Sequence, residues 1–232
     1  MSINVMKRYE MKYLLNAEQT AFLREKLKGH MEPDEYGRST IASLYYDTPD
    51  RRLIRASLEK PMFKEKLRLR SYGPADGTKP VYLELKRKAY GIVYKRRIET
   101  SLPDVDKFFA GEGNICACGQ IDRELAAFRD HYENLEPSCL IVYERTAYKE
   151  TEGDLRLTID ENPRYRMDSL NLADLDKGTL LLPPGHTILE IKVQEAVPLW
   201  LAEIISAGRI AKSSFSKYGE AYCRETFPAR TA

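Results

Sequence analysis

Six stretches of the chain alternate between a mostly charged and a mostly apolar or aromatic set of positions. In Arg8-Tyr9-Glu10-Met11-Lys12-Tyr13 one set carries Arg8, Glu10 and Lys12, the other Tyr9, Met11 and Tyr13. Lys64 to Arg70 places Lys64, Lys66, Arg68 and Arg70 together, and Tyr82 to Lys88 sets Glu84, Lys86 and Lys88 against Leu83 and Leu85. Val93 to Glu99, Asp154 to Asp160 and Ile188 to Val193 repeat the scheme. A period of two is that of a β-strand, whose successive side chains point to opposite faces, so each stretch predicts a strand with one apolar and one charged face. Between them the pattern predicts five helices. Asn16-Ala17-Glu18-Gln19 reads as a capping box opening a helix to about Lys28, with Gly29 behind it. Thr48-Pro49 predicts a helix over 50–58, and three more are expected over 103–110, 122–133 and 198–207, the last closed by Gly208. The apolar stripes on these helices, such as Phe108/Phe109 and Trp200/Ile204, read as core packing. The least structured stretches are 73–80 and 170–185. No repeat, low-complexity tract or long linker interrupts the chain, which predicts a single domain over 1–232.

One such strand would be an ordinary solvated sheet edge. Taken together they differ, because a merely solvated face tolerates Ser, Thr, Asn and Gln, whereas these faces are dominated by Lys and Arg with isolated Glu and Asp. Closed with the charged faces inward, such a sheet has a basic lumen holding a few carboxylates. Buried cations are costly without a counter-charge, so the lumen fits a polyanion with a divalent cation.

Composition narrows the picture. Of the 232 residues, 31% are charged and 43% hydrophobic, which is globular rather than disordered. The net charge of +2 points to neither a nucleic acid nor a membrane surface, so any basic function depends on how the charges are sorted. No apolar run approaches the roughly 18 residues of a membrane helix, and the first residues lack the apolar core of a signal peptide. A soluble, cytoplasmic protein is expected. Cys116, Cys118, Cys139 and Cys223 lack zinc-site spacing, and His30, His131 and His186 stand far apart. This argues against zinc chemistry and against a Cys or Ser/His nucleophile. No Walker loop or Gly-rich phosphate cradle is present.

In order along the chain, Arg8-Tyr-Glu-Met-Lys12-Tyr, Ser43-Leu-Tyr-Tyr-Asp47-Thr, Lys66-Leu-Arg-Leu-Arg70, Leu83-Glu-Leu-Lys86 and Lys95-Arg-Arg97 are followed by four further matches. These are Tyr143-Glu-Arg145-Thr-Ala-Tyr148, Leu155-Arg-Leu-Thr-Ile-Asp160, Leu189-Glu-Ile-Lys192 and Phe215-Ser-Lys217-Tyr218. Nine ordered matches over nearly the whole chain resemble the triphosphate tunnel metalloenzyme superfamily. They most closely resemble its VTC branch, the catalytic domain of polyphosphate polymerases. The resemblance implies an α+β fold: an eight-stranded antiparallel β-barrel tunnel with helices packed on the outside. It also implies transfer of the γ-phosphoryl group of ATP to a growing polyphosphate chain with a divalent metal, Mn2+ or Mg2+.

By the same resemblance, Lys12, Lys66, Arg68, Arg70, Lys86, Lys95, Arg97, Arg145, Arg156, Lys192, Ser216 and Lys217 would hold phosphate oxygens. Lys66, Arg68, Arg70, Arg145 and Lys217 would be the catalytic members of that set. Glu190 resembles the metal ligand, with Glu84 and Glu10 as secondary candidates, and Asp160, on the face of Arg156, is either a ligand or an ion-pair partner. The implied partners are ATP or triphosphate and polyphosphate, with no nucleic acid and no direct membrane insertion, although a separate membrane partner remains open. Where the polymerases can carry an additional lysine, this chain has Ser213-Ser214, with Lys212 in another register. The hydrolase branches begin with an ExExK strand; here the first acid is Arg8, and one fewer carboxylate favours holding a long polyanion over two-metal hydrolysis. A triphosphate hydrolase and a non-catalytic polyphosphate- or nucleotide-binding module are the alternatives.

Overall fold

The computed structural model describes residues 9–59, 61–90, 92–115, 119–150 and 153–228, so Arg8, Cys116 and Cys118 lie outside the described residues. Its strands are β1 (Tyr9–Leu15), β2 (Met31–Asp47), β3 (Phe63–Tyr72), β4 (Val81–Ala89), β5 (Ile92–Thr100), β6 (Glu136–Glu150), β7 (Arg156–Arg166), β8 (Thr179–Leu180) and β9 (Thr187–Val193). Its helices are α1 (Ala17–Leu27), α2 (Arg52–Leu58), α3 (Leu102–Ala110), α4 (Gln120–His131), α5 (Leu199–Ala207) and α6 (Lys217–Thr226). The strands form one sheet in the order β1-β9-β7-β6-β2-β3-β4-β5, with β8 paired to β7 off this path. The α+β architecture is therefore as expected. The strand count is not: the described residues form nine, the extra one a two-residue pairing within the 170–185 segment. No ladder joins β1 to β5 among the described residues, so the sheet is not strictly closed.

The chain divides into two compact units. One comprises 9–40, 143–163 and 180–216, the other 41–142, 164–179 and 217–228. Each has its own core. In the first, Leu23 and Leu27 of α1 and Leu201 of α5 pack with Tyr13, Leu157, Ile159, Leu189 and Ile191 from β1, β7 and β9. In the second, Val105, Phe108, Leu125 and Phe128 of α3 and α4 pack with Leu67, Leu69, Leu83 and Leu85 of β3 and β4. These are the apolar positions of the alternation, covered by α1 and α5 in one unit and by α3 and α4 in the other. Truncating a leucine such as Leu83, which is fully buried, would cost about 2–5 kcal/mol.

Local chemistry accounts for the helix ends. The capping box is present as read: the Asn16 side chain accepts the Gln19 N–H, and the Gln19 side chain accepts the Asn16 N–H. The second helix begins later than Thr48-Pro49 suggested. Arg51 is left-handed (φ 61°), so Pro49 lies in the preceding turn and not in the first turn of α2. Its N-terminal amides are capped from upstream, with Thr48 Oγ1 accepting from Arg52 N and the Asp47 carboxylate accepting from Leu53 N and Ile54 N at 2.8 and 3.0 Å. Gly208 does close α5, but with an ordinary φ of −77°. A Cβ there would lie 3.0 Å from the Phe22 ring, a tight contact that a larger residue could relieve only by displacing that ring. Helix α6 was not read from the sequence, although Glu220 and Arg224 form an i,i+4 ion pair and Tyr218 and Ala221 make a buried stripe.

Candidate phosphate-binding site

Antiparallel pairing converts the alternation into rows across β3, β4 and β5. Arg68 faces Glu84, which faces Arg97; Lys66 faces Lys86, which faces Lys95; Arg70 faces Tyr82. Glu84 is the hub. Its side chain is 1% exposed and carries four cations: Arg68 at 2.8 Å, Lys95 at 2.8 Å, Arg70 at 3.7 Å and Arg97 at 3.8 Å. Burial alone would raise its pKa, but Arg68, Arg70 and Lys95 outweigh that and hold it at about 2. Lys95, by contrast, is shifted downward by its own desolvation. One carboxylate thus serves four cations, and the adjacent row sets three lysines abreast. Like charges directly opposite on a sheet are unfavourable unless an anion joins them.

Tyrosines share this face. Tyr45 of β2 accepts a hydrogen bond from Arg68 at 3.1 Å, and its ring stacks on Tyr218 at 4.5 Å. Burial would raise the phenol, yet Arg68, Lys66 and Arg70 bring it down to about 8. The Arg97 guanidinium lies 3.8 Å from the centre of the Tyr82 ring and 5.5 Å from that of Tyr72. Tyr45, Tyr72 and Tyr82 are not among the site residues expected from the sequence. Parity alone locates two of them, since Tyr82 is even like Glu84 and Tyr72 is even like Arg70. Tyr45 needed the β2–β3 register, which places it opposite Arg68.

The other unit holds a second array. Lys12 of β1 and Thr158 of β7 face Glu190 of β9, while Glu10 and Arg156 face Lys192. Glu190 pairs with Lys192 at 3.0 Å, has Arg145 at 3.7 Å, and lies within hydrogen-bonding reach of Glu10. Burial opposes its ionisation, but Lys192, Lys12 and Arg145 overrule it and depress its pKa strongly. Glu10 also pairs with Lys12 at 3.4 Å. Asp160 is fully buried and takes the Arg145 fork through two bonds of 2.6 and 2.8 Å. Asp160 is thus the ion-pair partner of Arg145, not of Arg156, which is exposed on the same strand. Two nitrogens of Arg145 are committed to that carboxylate, which orients the guanidinium and leaves less of it for a phosphate.

The carboxylates differ in fitness for a divalent ion. Glu84 and Glu190 both stand among cations, but Glu190 also has a second carboxylate, Glu10, within reach. Glu10 and Glu190 converge and are hard oxygen donors of the kind a divalent ion takes. Among the described residues no group of three His, Cys, Asp or Glu gathers, so phosphate oxygens and water would have to complete the shell.

The C-terminal candidates fall separately. Lys212 forms a bridge with Tyr13, and Ser213 N–H donates to Lys12 O at 2.7 Å, so this segment runs beside β1. Ser216 is half-buried, and the half-buried Lys217 opens α6. Cys139 is a buried thiol raised by desolvation, and His30 is stacked on Trp200 at 4.3 Å; neither has the surroundings of a catalytic group.

The Arg68 geometry sets an expected result. Arg68→Ala should weaken tripolyphosphate binding at least tenfold by calorimetry, since it removes a charge-assisted fork from a half-buried site. Glu84 would keep Arg70 and Lys95, so the fold should persist. An unchanged affinity would return Arg68 to the role of counter-ion for Glu84.

Residues 7–225 match the family model described as the VTC domain. No curated protein matches the sequence. Two solved structures share the fold across nearly their full lengths. One, from Bacillus halodurans and assigned provisionally as an adenylate cyclase, has a TM-score of 0.56 at 16% identity, covering 91% of this chain and 96% of that one. The other, from Hippeastrum, was assigned as an adenylyl cyclase and is described as having a dominant triphosphatase activity. Its TM-score is 0.55 at 20% identity, covering 94% of this chain and 95% of that one.

Proposed function

The chain belongs to the VTC domain family, and from that premise we propose that it is a polyphosphate polymerase that moves the γ-phosphoryl group of ATP onto a growing phosphate chain. The observation that carries this reading is the row Lys66–Lys86–Lys95 lying beside the row Arg68–Glu84–Arg97, which sets several cations in register across three strands. In this reading residues 1–232 act as one domain in the cytoplasm, where ATP is available.

Phosphoryl transfer needs positioning and charge stabilisation more than covalent work by the protein. Arg68, Arg70 and Arg97 offer planar forks to non-bridging oxygens, and Lys66, Lys86 and Lys95 add point charges. Lys12 and Lys192 do the same in the other unit. Glu84 keeps the arginines oriented before substrate arrives, and Asp160 does so for Arg145. The terminal oxygen of the acceptor chain attacks Pγ, the bond to the β-phosphate oxygen breaks, and ADP leaves. That acceptor oxygen is already ionised, so no general base is required. A divalent ion, Mn2+ or Mg2+, would be held by Glu190 and Glu10 and would supply further neutralisation of phosphate oxygens.

The direct test is incubation of the purified protein with ATP and manganese, with products resolved on a gel. A ladder of long phosphate chains is expected. Free phosphate without chains would identify a triphosphate hydrolase, and unreacted bound ATP a binding module. Ligand stabilisation gives an independent check. Tripolyphosphate at a hundredfold excess over its Kd should stabilise by about 2.7 kcal/mol, a Tm rise of about 5–10 °C. Orthophosphate and sulfate at matched ionic strength should give much less, because neither can span several cationic rows. Equal shifts for all three would remove the argument for chain recognition.

A further inference from the structure

Six large hydrophobic side chains left exposed fall in two short segments of one unit: Met62, Phe63, Tyr90, Ile92, Val93 and Tyr94. Strand pairing makes the two segments neighbours. Phe63 faces Ala89, which faces Ile92, and the Tyr90 N–H donates to Met62 O at 2.9 Å. Farther along the same strands, Leu67, Leu69, Leu83 and Leu85 lie in the core shared with the helices, but Met62 and Tyr90 are 70% and 78% exposed. Tyr90 also occupies a left-handed backbone (φ 49°), where glycine or asparagine costs less. A bulky ring held out at the end of a hairpin against that preference marks a surface with something to touch.

The charges beside it are sorted. Lys64 faces Lys88 in the row next to Phe63–Ala89, and Arg87 follows opposite Glu65. The acid within these rows, Glu65, is buried and already bonded to Arg87 and the Tyr132 hydroxyl. An apolar tip with a basic rim is complementary to an anionic bilayer. Tyrosine rings sit at the level of the head groups, aliphatic side chains enter the acyl boundary, and lysines reach back to lipid phosphates. A second copy of the chain would instead set lysine against lysine.

We propose that this end of the β3–β4–β5 sheet is a peripheral docking surface for an anionic lipid bilayer, inserted shallowly through Met62, Phe63, Tyr90 and Ile92. No described helix is long and apolar enough to cross a membrane, and shallow docking requires none. The proposal is independent of the polymerase reading.

The test is cosedimentation of the full chain with phosphatidylcholine vesicles, with and without roughly 30% phosphatidylserine. Binding to the anionic vesicles alone is expected. Tyr90→Asn with Met62→Ser should weaken it at least tenfold, since asparagine suits the left-handed turn and the hairpin is kept. Lys64→Gln with Lys88→Gln should weaken it about 25-fold, at about fivefold per lysine near a charged surface. Tm and tripolyphosphate affinity should be unchanged in both variants. The proposal is overturned by failure of the wild-type chain to bind anionic vesicles, by equal binding of the tip variant, or by full competition from tripolyphosphate, which would place the lipid phosphates in the phosphate site. A dimer in sedimentation that disappears with the tip variant would assign the surface to a second copy instead.

Discussion

Glu190→Gln is expected to lower metal-dependent turnover by about a hundredfold, roughly 2.7 kcal/mol of transition-state stabilisation, while the chain stays folded. The substitution keeps the shape and removes one anionic oxygen donor from the pair it forms with Glu10. A hard divalent ion depends on that charge, so the manganese concentration needed for half-maximal activity should rise in parallel. The fold should persist because Arg145 retains its two bonds to Asp160, and Lys12 retains Glu10. Steady-state rates across a manganese titration would settle the point. Wild-type activity at every concentration would remove Glu190 from the metal site.

The same substitution at Glu84 should behave differently, chiefly as a loss of stability. Glu84 is held at about 2 against an ordinary value of 4.5, and a side chain 1% exposed escapes solvent screening. A difference of that size corresponds to about 3 kcal/mol at neutral pH. Because the folded pKa is depressed, this stability is fully present above about 4.5 and is lost as pH falls toward 2. Denaturation midpoints of wild type and Glu84→Gln should therefore be well separated at pH 7 and converge near pH 2. Tripolyphosphate should restore more stability to the variant than to the wild type, since ligand charge replaces the missing carboxylate among Arg68, Arg70, Lys95 and Arg97. A gap that stays constant from pH 7 to pH 2 would show that Glu84 is not the counter-ion that the geometry makes it.

The two glutamates illustrate how far the sequence could be read. Glu84 and Glu190 each occupy the same motif position, Leu-Glu-Leu-Lys and Leu-Glu-Ile-Lys, and both were candidates for metal. The different roles proposed for them come from neighbours on other strands. Glu84 has Arg68, sixteen residues earlier, opposite it and Lys95 close by, whereas Glu190 has Glu10 from the other end of the chain. Asp160 is likewise legible as a ligand or an ion-pair partner, but its partner Arg145 is fifteen residues away and is brought beside it only by the fold.

What the sequence determined by itself is the face on which each side chain lies. That follows from strand geometry, in which parity alone decides inside from outside, and it located the cationic positions of β3, β4 and β5 without knowledge of their partners. Capping chemistry at Asn16 was local for the same reason: its partner is three residues away. Only the tertiary structure decided register, and register decides electrostatics. Whether a carboxylate is a counter-ion or a metal donor depends on charges within about 4 Å, which strand pairing brings from distant parts of the chain. The exposed tip at Met62 and Tyr90 is of the same kind. Alternation assigns Phe63 and Ile92 to the apolar face, but only the packing shows that this end of it is left uncovered.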